Sequence, residues 1–229
     1  MTERSILAGL TPTVIIKAGG SVRVKGVESD RVTANSDSRW GLQVEKSPGK
    51  EIARARAAVG DTVLFDLRLK LPNAENKTFP DEIIKVQLGG SGEVCVPFGS
   101  NVKVYTGQDI DVQGIRGMVD TYGGAKIRLQ EVYCLGNASA GSTMDLDCQT
   151  LFAQNAEFKA GSDIHFHVRE LTSARIRVKD LGGYWEAHIG EGEKSVYLKS
   201  GGDVTLVTDQ QVEALPPHYI LGKIEKPAK

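Results

Sequence analysis

Apolar and polar residues alternate along most of this chain, and a helical period of 3.6 is nearly absent. Val63, Phe65, Leu67, Leu69 and Leu71, for example, are interleaved with Leu64, Asp66, Arg68 and Lys70. A period of two puts every second side chain on one face of a strand, so this stretch predicts a long half-buried strand. Residues 52–58 have a helix-forming composition, but their Ala/Arg alternation fits a strand, which is the reading adopted. Ser47-Pro48-Gly49 predicts a turn, and 72–82, with Pro72, Asn73, Asn76 and Pro80, predicts a loop.

After residue 90 a unit recurs, of the form Gly-small-x-apolar-x-apolar. It occurs at Gly99–Val104, Gly107–Val112, Gly124–Leu129, Gly141–Leu146, Gly161–Phe166 and Gly201–Leu206, with relaxed copies at Ser173–Val178 and Glu193–Leu198. Its first apolar positions are Val102, Ile110, Ile127, Met144, Ile164, Ile176, Val196 and Val204, spaced 8, 17, 17, 20, 12, 20 and 8 residues apart. Short strands at a period of 17–20 residues with Gly corners predict an all-β fold, a single-chain β-solenoid. Each strand is too short to stand alone, and stacking pairs its backbone with the strand above and below. The spacing of 8 is half of 17, so each rung carries at least two strands. Gly is expected at the corners for its freedom to adopt positive φ. An antiparallel β-sandwich, with strands every 8–12 residues, is the alternative.

The organisation expected is an N-terminal tail over 1–12, a solenoid domain over 13–211, and a flexible or capping tail over 212–229. Within the domain, 13–90 is less regular and 91–211 carries the regular repeats. Val102, Val104, Ile110, Val112, Ile127, Leu129, Met144, Leu146, Ile164 and Phe166 should form the core. Lys103, Asp111, Arg128, Asp145 and His165 should face outward.

Composition narrows the function. Lys+Arg 28 against Asp+Glu 29 leaves a net charge of -1, which argues against a dedicated nucleic-acid binder. Gly at 26 residues supports a turn-rich fold. Three cysteines, Cys95, Cys134 and Cys148, read as free thiols of a reducing compartment and not as a disulfide framework. The apolar stretch after Glu3 is too short for a signal-peptide core, and no run reaches the roughly 20 apolar residues of a spanning helix. With Met1 as the native start, a cytoplasmic protein is expected. Asn76-Lys-Thr and Asn137-Ala-Ser match the glycosylation pattern by chance on this reading.

The stretch from Val94 to Val119, with Val96-Pro97-Phe98-Gly99, Gln108-Asp109-Ile110 and Gly114-Ile115-Arg116-Gly117, resembles the bacterial putative-adhesin β-solenoid family. Ala18–Val27, followed by Arg31-Val32, is similar to that family's opening strands. The resemblance spans most of 14–208. It implies one β-solenoid domain without known catalytic residues. Its members are often exported or membrane-tethered, and this chain shows neither signal. The bactofilins, which stack short rungs and polymerise, are a looser likeness.

Candidate chemistry is sparse. His165 and His167 should share the outer face of one strand, and a 20-residue step sets Asp145 and Asp147 beside them. Two His and two Asp on adjacent strands could hold a divalent cation, but an ordinary solvated face is the favoured reading, with His188 as an uncertain extension. Asp111, Arg128, Asp145 and His165 should form an outward column of alternating sign that fixes register. Asp109/Asp111 and Asp145/Asp147 are carboxylate pairs of the kind carbohydrate-cleaving β-helices use, without a positioned partner. Gly89-Gly90-Ser91-Gly92 opens no helix and reads as a turn, not a phosphate loop. Cys148 should be a core thiol. Trp40 and Trp185 could stack a sugar but more often plug a core.

No catalytic residue, metal or cofactor is therefore expected. The leading expectation is a non-enzymatic structural or interaction module, self-associating through its solenoid ends. The alternatives are an adhesin-like surface or carbohydrate-binding module and a carbohydrate-active enzyme.

Overall fold

The computed structural model describes residues 2–38, 41–47, 55–59, 62–67, 83–151, 155–170, 174–180, 183–189, 194–208, 213–214 and 223–225. Every regular element among them is a strand. In chain order these are β1 (Thr2–Leu7), β2 (Thr13–Ala18), β3 (Val22–Val27), β4 (Arg31–Ser36), β5 (Gln43–Ser47), β6 (Ala55–Val59), β7 (Thr62–Leu67) and β8 (Ile83–Leu88). They continue with β9 (Gly92–Pro97), β10 (Asn101–Thr106), β11 (Ile110–Gln113), β12 (Met118–Gly123), β13 (Ile127–Ala140), β14 (Met144–Leu151) and β15 (Asn155–Ala160). The last are β16 (Ile164–Glu170), β17 (Ala174–Asp180), β18 (Gly183–Ile189), β19 (Lys194–Ser200), β20 (Val204–Thr208), β21 (Glu213–Ala214) and β22 (Lys223–Glu225).

The strands pair in two parallel rows. One runs β8, β2, β10, β12, the end of β13, β15, β19, β17. The other runs β9, β3, β11, the start of β13, β14, β16, β20, β22. The chain passes from the first row to the second within each layer, and the 8-residue step from Val102 to Ile110 is that passage. Ile110, Ile127, Met144, Ile164 and Val204 then lie one above another in the second row. Strands of this length gain little alone. In register, their apolar faces add into one continuous core.

All ten expected core residues are at most 1% exposed. Val14, Ile16, Ile84, Ile176, Val178, Val196 and Leu198 join them from the first row. Phe158 and Phe166, one from each row, meet inside with ring centroids 4.8 Å apart. Of the five residues expected outside, Arg128 and His165 are exposed, while Lys103, Asp111 and Asp145 are half-buried by their column neighbours.

Several local expectations change. The corner glycines do not need positive φ: the positive-φ glycines among the described residues are Gly9, Gly41 and Gly114. Their reason is close approach. A Cβ at Gly124 would collide with the carbonyl oxygen of Gly107, one at Gly141 with that of Gly124, one at Gly161 with that of Gly141, and one at Gly201 with that of Gly161. The layers also close through side chains. Asn101 Oδ1 accepts from the Met118 N–H (3.0 Å), Asp109 Oδ1 from Lys126 (2.9 Å), Asp120 Oδ1 from Asn137 (2.9 Å) and Asp163 Oδ1 from Asp203 (2.9 Å).

Spatial order departs from chain order twice. The β2–β3 layer sits between β8–β9 and β10–β11, and β15 pairs directly with β19, leaving β17 on the far side. The odd spacing of 12 between Ile164 and Ile176 thus marks a jump between rows. Thr2–Leu7, read as a tail, is a strand antiparallel to β4. With β5 on β8 and β4 on β9, antiparallel strands cover the β8–β9 end. At the other end β18 pairs with β17, β21 with β18, and β22 with β20. β6 and β7 form a separate hairpin, in keeping with strands expected at both places. The loop expected over 72–82, Trp40 and most of the 212–229 tail lie outside the described residues. No helix among the described residues is long and apolar enough to cross a membrane.

Candidate functional site

Alternation turns every second residue of the second row outward, and parallel register lines these residues into columns. One column reads Glu93, Arg23, Asp111, Arg128, Asp145, His165. Its signs alternate. Arg23 Nε lies 3.4 Å from Asp111 Oδ2, and Arg128 Nε lies 3.7 Å from Asp145 Oδ2. Beside it Lys25 Nζ is 3.1 Å from Glu93 Oε2. The part from Asp111 to His165 is the column expected from the repeat.

The four candidate metal ligands do come together. Asp145 faces His165 and Asp147 faces His167 across β14 and β16. They line a shallow groove of about 320 Å³ floored by Leu146 and Phe166 and edged by Gln130 and Thr205. A register shift in β13 between Leu129 and Val132 opens its upper side, with Glu131 at φ 53°.

The groove's best-placed carboxylate is already engaged. Arg169 Nη2 sits 2.8 Å from Asp147 Oδ1 and 2.9 Å from Oδ2, and His167 Nδ1 is 3.5 Å from Oδ1. A guanidinium there supplies the positive charge that a cation would otherwise bring. Among the described residues, no group of three or more His, Cys, Asp and Glu could hold a metal ion. Arg169 was not singled out from the sequence, although alternation places it on the same face as His165 and His167. His188 lies elsewhere, on β18 between Arg175 and Glu213.

The second carboxylate pair is structural too. Asp109 caps the next layer through the Lys126 N–H, and Asp111 pairs with Arg23. Gly89–Gly92 is the turn from β8 to β9, and the Gly92 N–H donates to Ser21 O at 3.0 Å.

Cys148 is fully buried, and burial pushes its thiol far above the ordinary range. Cys95 is half-buried and also raised, by burial and then by Glu93. Both effects disfavour a reactive thiolate. Trp185 lies on β18 opposite Val178.

No family model matches this chain, and no curated protein matches it. A solved structure from Clostridium sporogenes ATCC 15579, described as a "putative cell adhesion protein", aligns over 90% of this chain and 99% of its own, at 8% identity and a TM-score of 0.38. A likeness of that strength carries no argument about fold or function.

Proposed function

We propose that this chain is a single-chain β-solenoid acting as a non-enzymatic interaction module. The parallel in-register rows, the 17-residue side-chain bonds between layers and the continuous apolar interior support the solenoid reading. One observation carries the functional reading: three of the four candidate carboxylates are paired with basic side chains of neighbouring strands, and the fourth, Asp109, accepts a backbone N–H. Asp147 with Arg169, Asp145 with Arg128 and Asp111 with Arg23 are cross-strand pairs that hold register.

The test is a screen against neutral and acidic polysaccharides, scored for both retention and depolymerisation. Retention without new reducing ends or unsaturated products is expected. Turnover that disappears in Asp147→Asn would overturn the proposal and favour a carbohydrate-active enzyme. A carbohydrate-binding role has its own supporting observation: Tyr105 and Tyr122, 38% and 37% exposed, stand stacked on the outer face of the first row.

A further inference from the structure

The two outer faces differ in electrostatic design. In the second row acids and bases alternate. In the first row Lys159, Lys199 and Lys179 occupy successive strands in direct register. Lys159 pairs with Glu157 at 2.9 Å, whereas Lys179 and Lys199 have no carboxylate partner among the described residues. Like charges directly opposite each other on a sheet are destabilising. Arg177, in the next column, donates to Ser195 Oγ at 3.0 Å and adds a further cation. A chain of net charge -1 therefore concentrates positive charge on one half of one face.

The same column continues past Lys159 to Ser139, Tyr122 and Tyr105. The two tyrosine rings are parallel within 7° with centroids 5.0 Å apart, close to the roughly 4.8 Å separation of adjacent strands. They stack along the row, so the far face of Tyr122 looks toward the next strand. There the residue is Ser139, whose side chain is a single hydroxymethyl. The register therefore leaves a slot one strand wide between the Tyr122 ring and Lys159, over the Ser139 hydroxyl, with the Lys159 ammonium also held by Glu157 at 2.9 Å. Burial, then Asp120 and Tyr105, raises the Tyr122 phenol, which stays a neutral hydrogen-bond donor.

We infer that this face binds a linear acidic polysaccharide, one sugar ring packing on Tyr122 and the carboxylates of that ring and its neighbours meeting Lys159, Lys199 and Lys179. The inference rests on the interaction-module reading and names its partner. One open ring face beside a hydroxyl suits a hydroxylated ring that carries its charge as a substituent. A nucleic-acid strand, stacking base after base, uses a row of platforms and a general basic excess; the described residues show no such row, and the net charge is -1.

The experiment is titration calorimetry of the full chain with oligogalacturonate at low salt. Neutral maltodextrin and a single-stranded oligonucleotide of equal charge serve as comparisons. Binding of oligogalacturonate alone is expected. Lys179→Gln with Lys199→Gln should weaken it about tenfold, since each exposed charge contact contributes up to about fivefold. Tyr122→Ala should weaken it several-fold and Tyr122→Phe restore it. The charge-matched pair Arg23→Gln with Lys25→Gln, in the second row, should leave it unchanged. Circular dichroism and melting of each variant identify any that fail to fold, and the Tyr122→Phe comparison stands independently of those. No binding, equal loss in the second-row pair, or equal binding of the oligonucleotide that ignores Tyr122 would each overturn the inference. Cleavage of bound oligogalacturonate would instead overturn the non-enzymatic reading and leave the slot standing.

Discussion

Replacing Gly141 by Ala tests whether the glycine corners are set by contact between layers. The new Cβ would collide with the carbonyl oxygen of Gly124 in the layer before. That carbonyl cannot simply swing away. The Gly124 N–H donates to Thr106 O at 3.0 Å, Gly123 O accepts from the Gly141 N–H at 3.1 Å, and Ala125 O accepts from Ser142 at 3.1 Å. Forcing a methyl into a packed site costs about 1–3 kcal/mol. The stiffer unfolded chain returns about 0.4–1 kcal/mol. The net loss is roughly 1–2 kcal/mol, or about 2–8 °C in Tm for a chain of this size. Gly107 is the internal control. Nothing lies within 4 Å of a Cβ built there, and its φ is not left-handed. Gly107→Ala should therefore be neutral or more stable by up to about 1 kcal/mol. Thermal unfolding of the two variants side by side is the assay. A Gly141→Ala protein as stable as the parent, or equal losses in both variants, would refute the stacked-corner reasoning.

Other outcomes rest on the same geometry. Arg128→Asp puts three acids in a row with Asp111 and Asp145, and should cost about 1 kcal/mol at low salt, since the groups are half-exposed. Most of that loss should vanish in melts at 1 M salt, where the Debye length is about 3 Å. Cys148 keeps its proton in the folded state to far higher pH than in the unfolded chain. Its contribution to stability is complete below the ordinary thiol pKa of about 8.5 and is lost as pH rises above it. Denaturant midpoints should fall from pH 8 to 10, and Cys148→Ala should flatten that slope while lowering stability throughout. Deleting 212–229 removes β21 and β22 and bares the edge of β20. Light scattering should show a monomeric full chain and an associating truncated one. A full-length chain that associates would instead support the self-association expected from the sequence.

What could be read from the sequence was whatever repeats locally. Alternation names the inward face of each strand, so Val102 through Phe166 were identifiable as core. A Gly at a fixed offset marks each corner, so the register Ile110, Ile127, Met144, Ile164 came from counting. Which strand lies against which is a different kind of information. The insertion of β2–β3 between β8–β9 and β10–β11 depends on pairings between residues such as Arg23 and Asp111, 88 positions apart, and no local pattern records it. For the same reason β17 looked like one more repeat. At the Asp/His groove the register was legible and the occupant was not: Arg169, two residues beyond His167, obeys the same alternation and turns a candidate metal site into an ion pair. The tyrosine–lysine column was hidden because its members come from separate repeats far apart in the chain.

The most direct test of the layered architecture is an amide NOE spectrum of deuterated protein. The account predicts cross-peaks linking Arg23 with Asp111, Asp111 with Arg128, and Asp145 with His165, each a parallel neighbour in register. Cross-peaks that instead join β10 to β11, or β15 to β16, as antiparallel hairpins would contradict it.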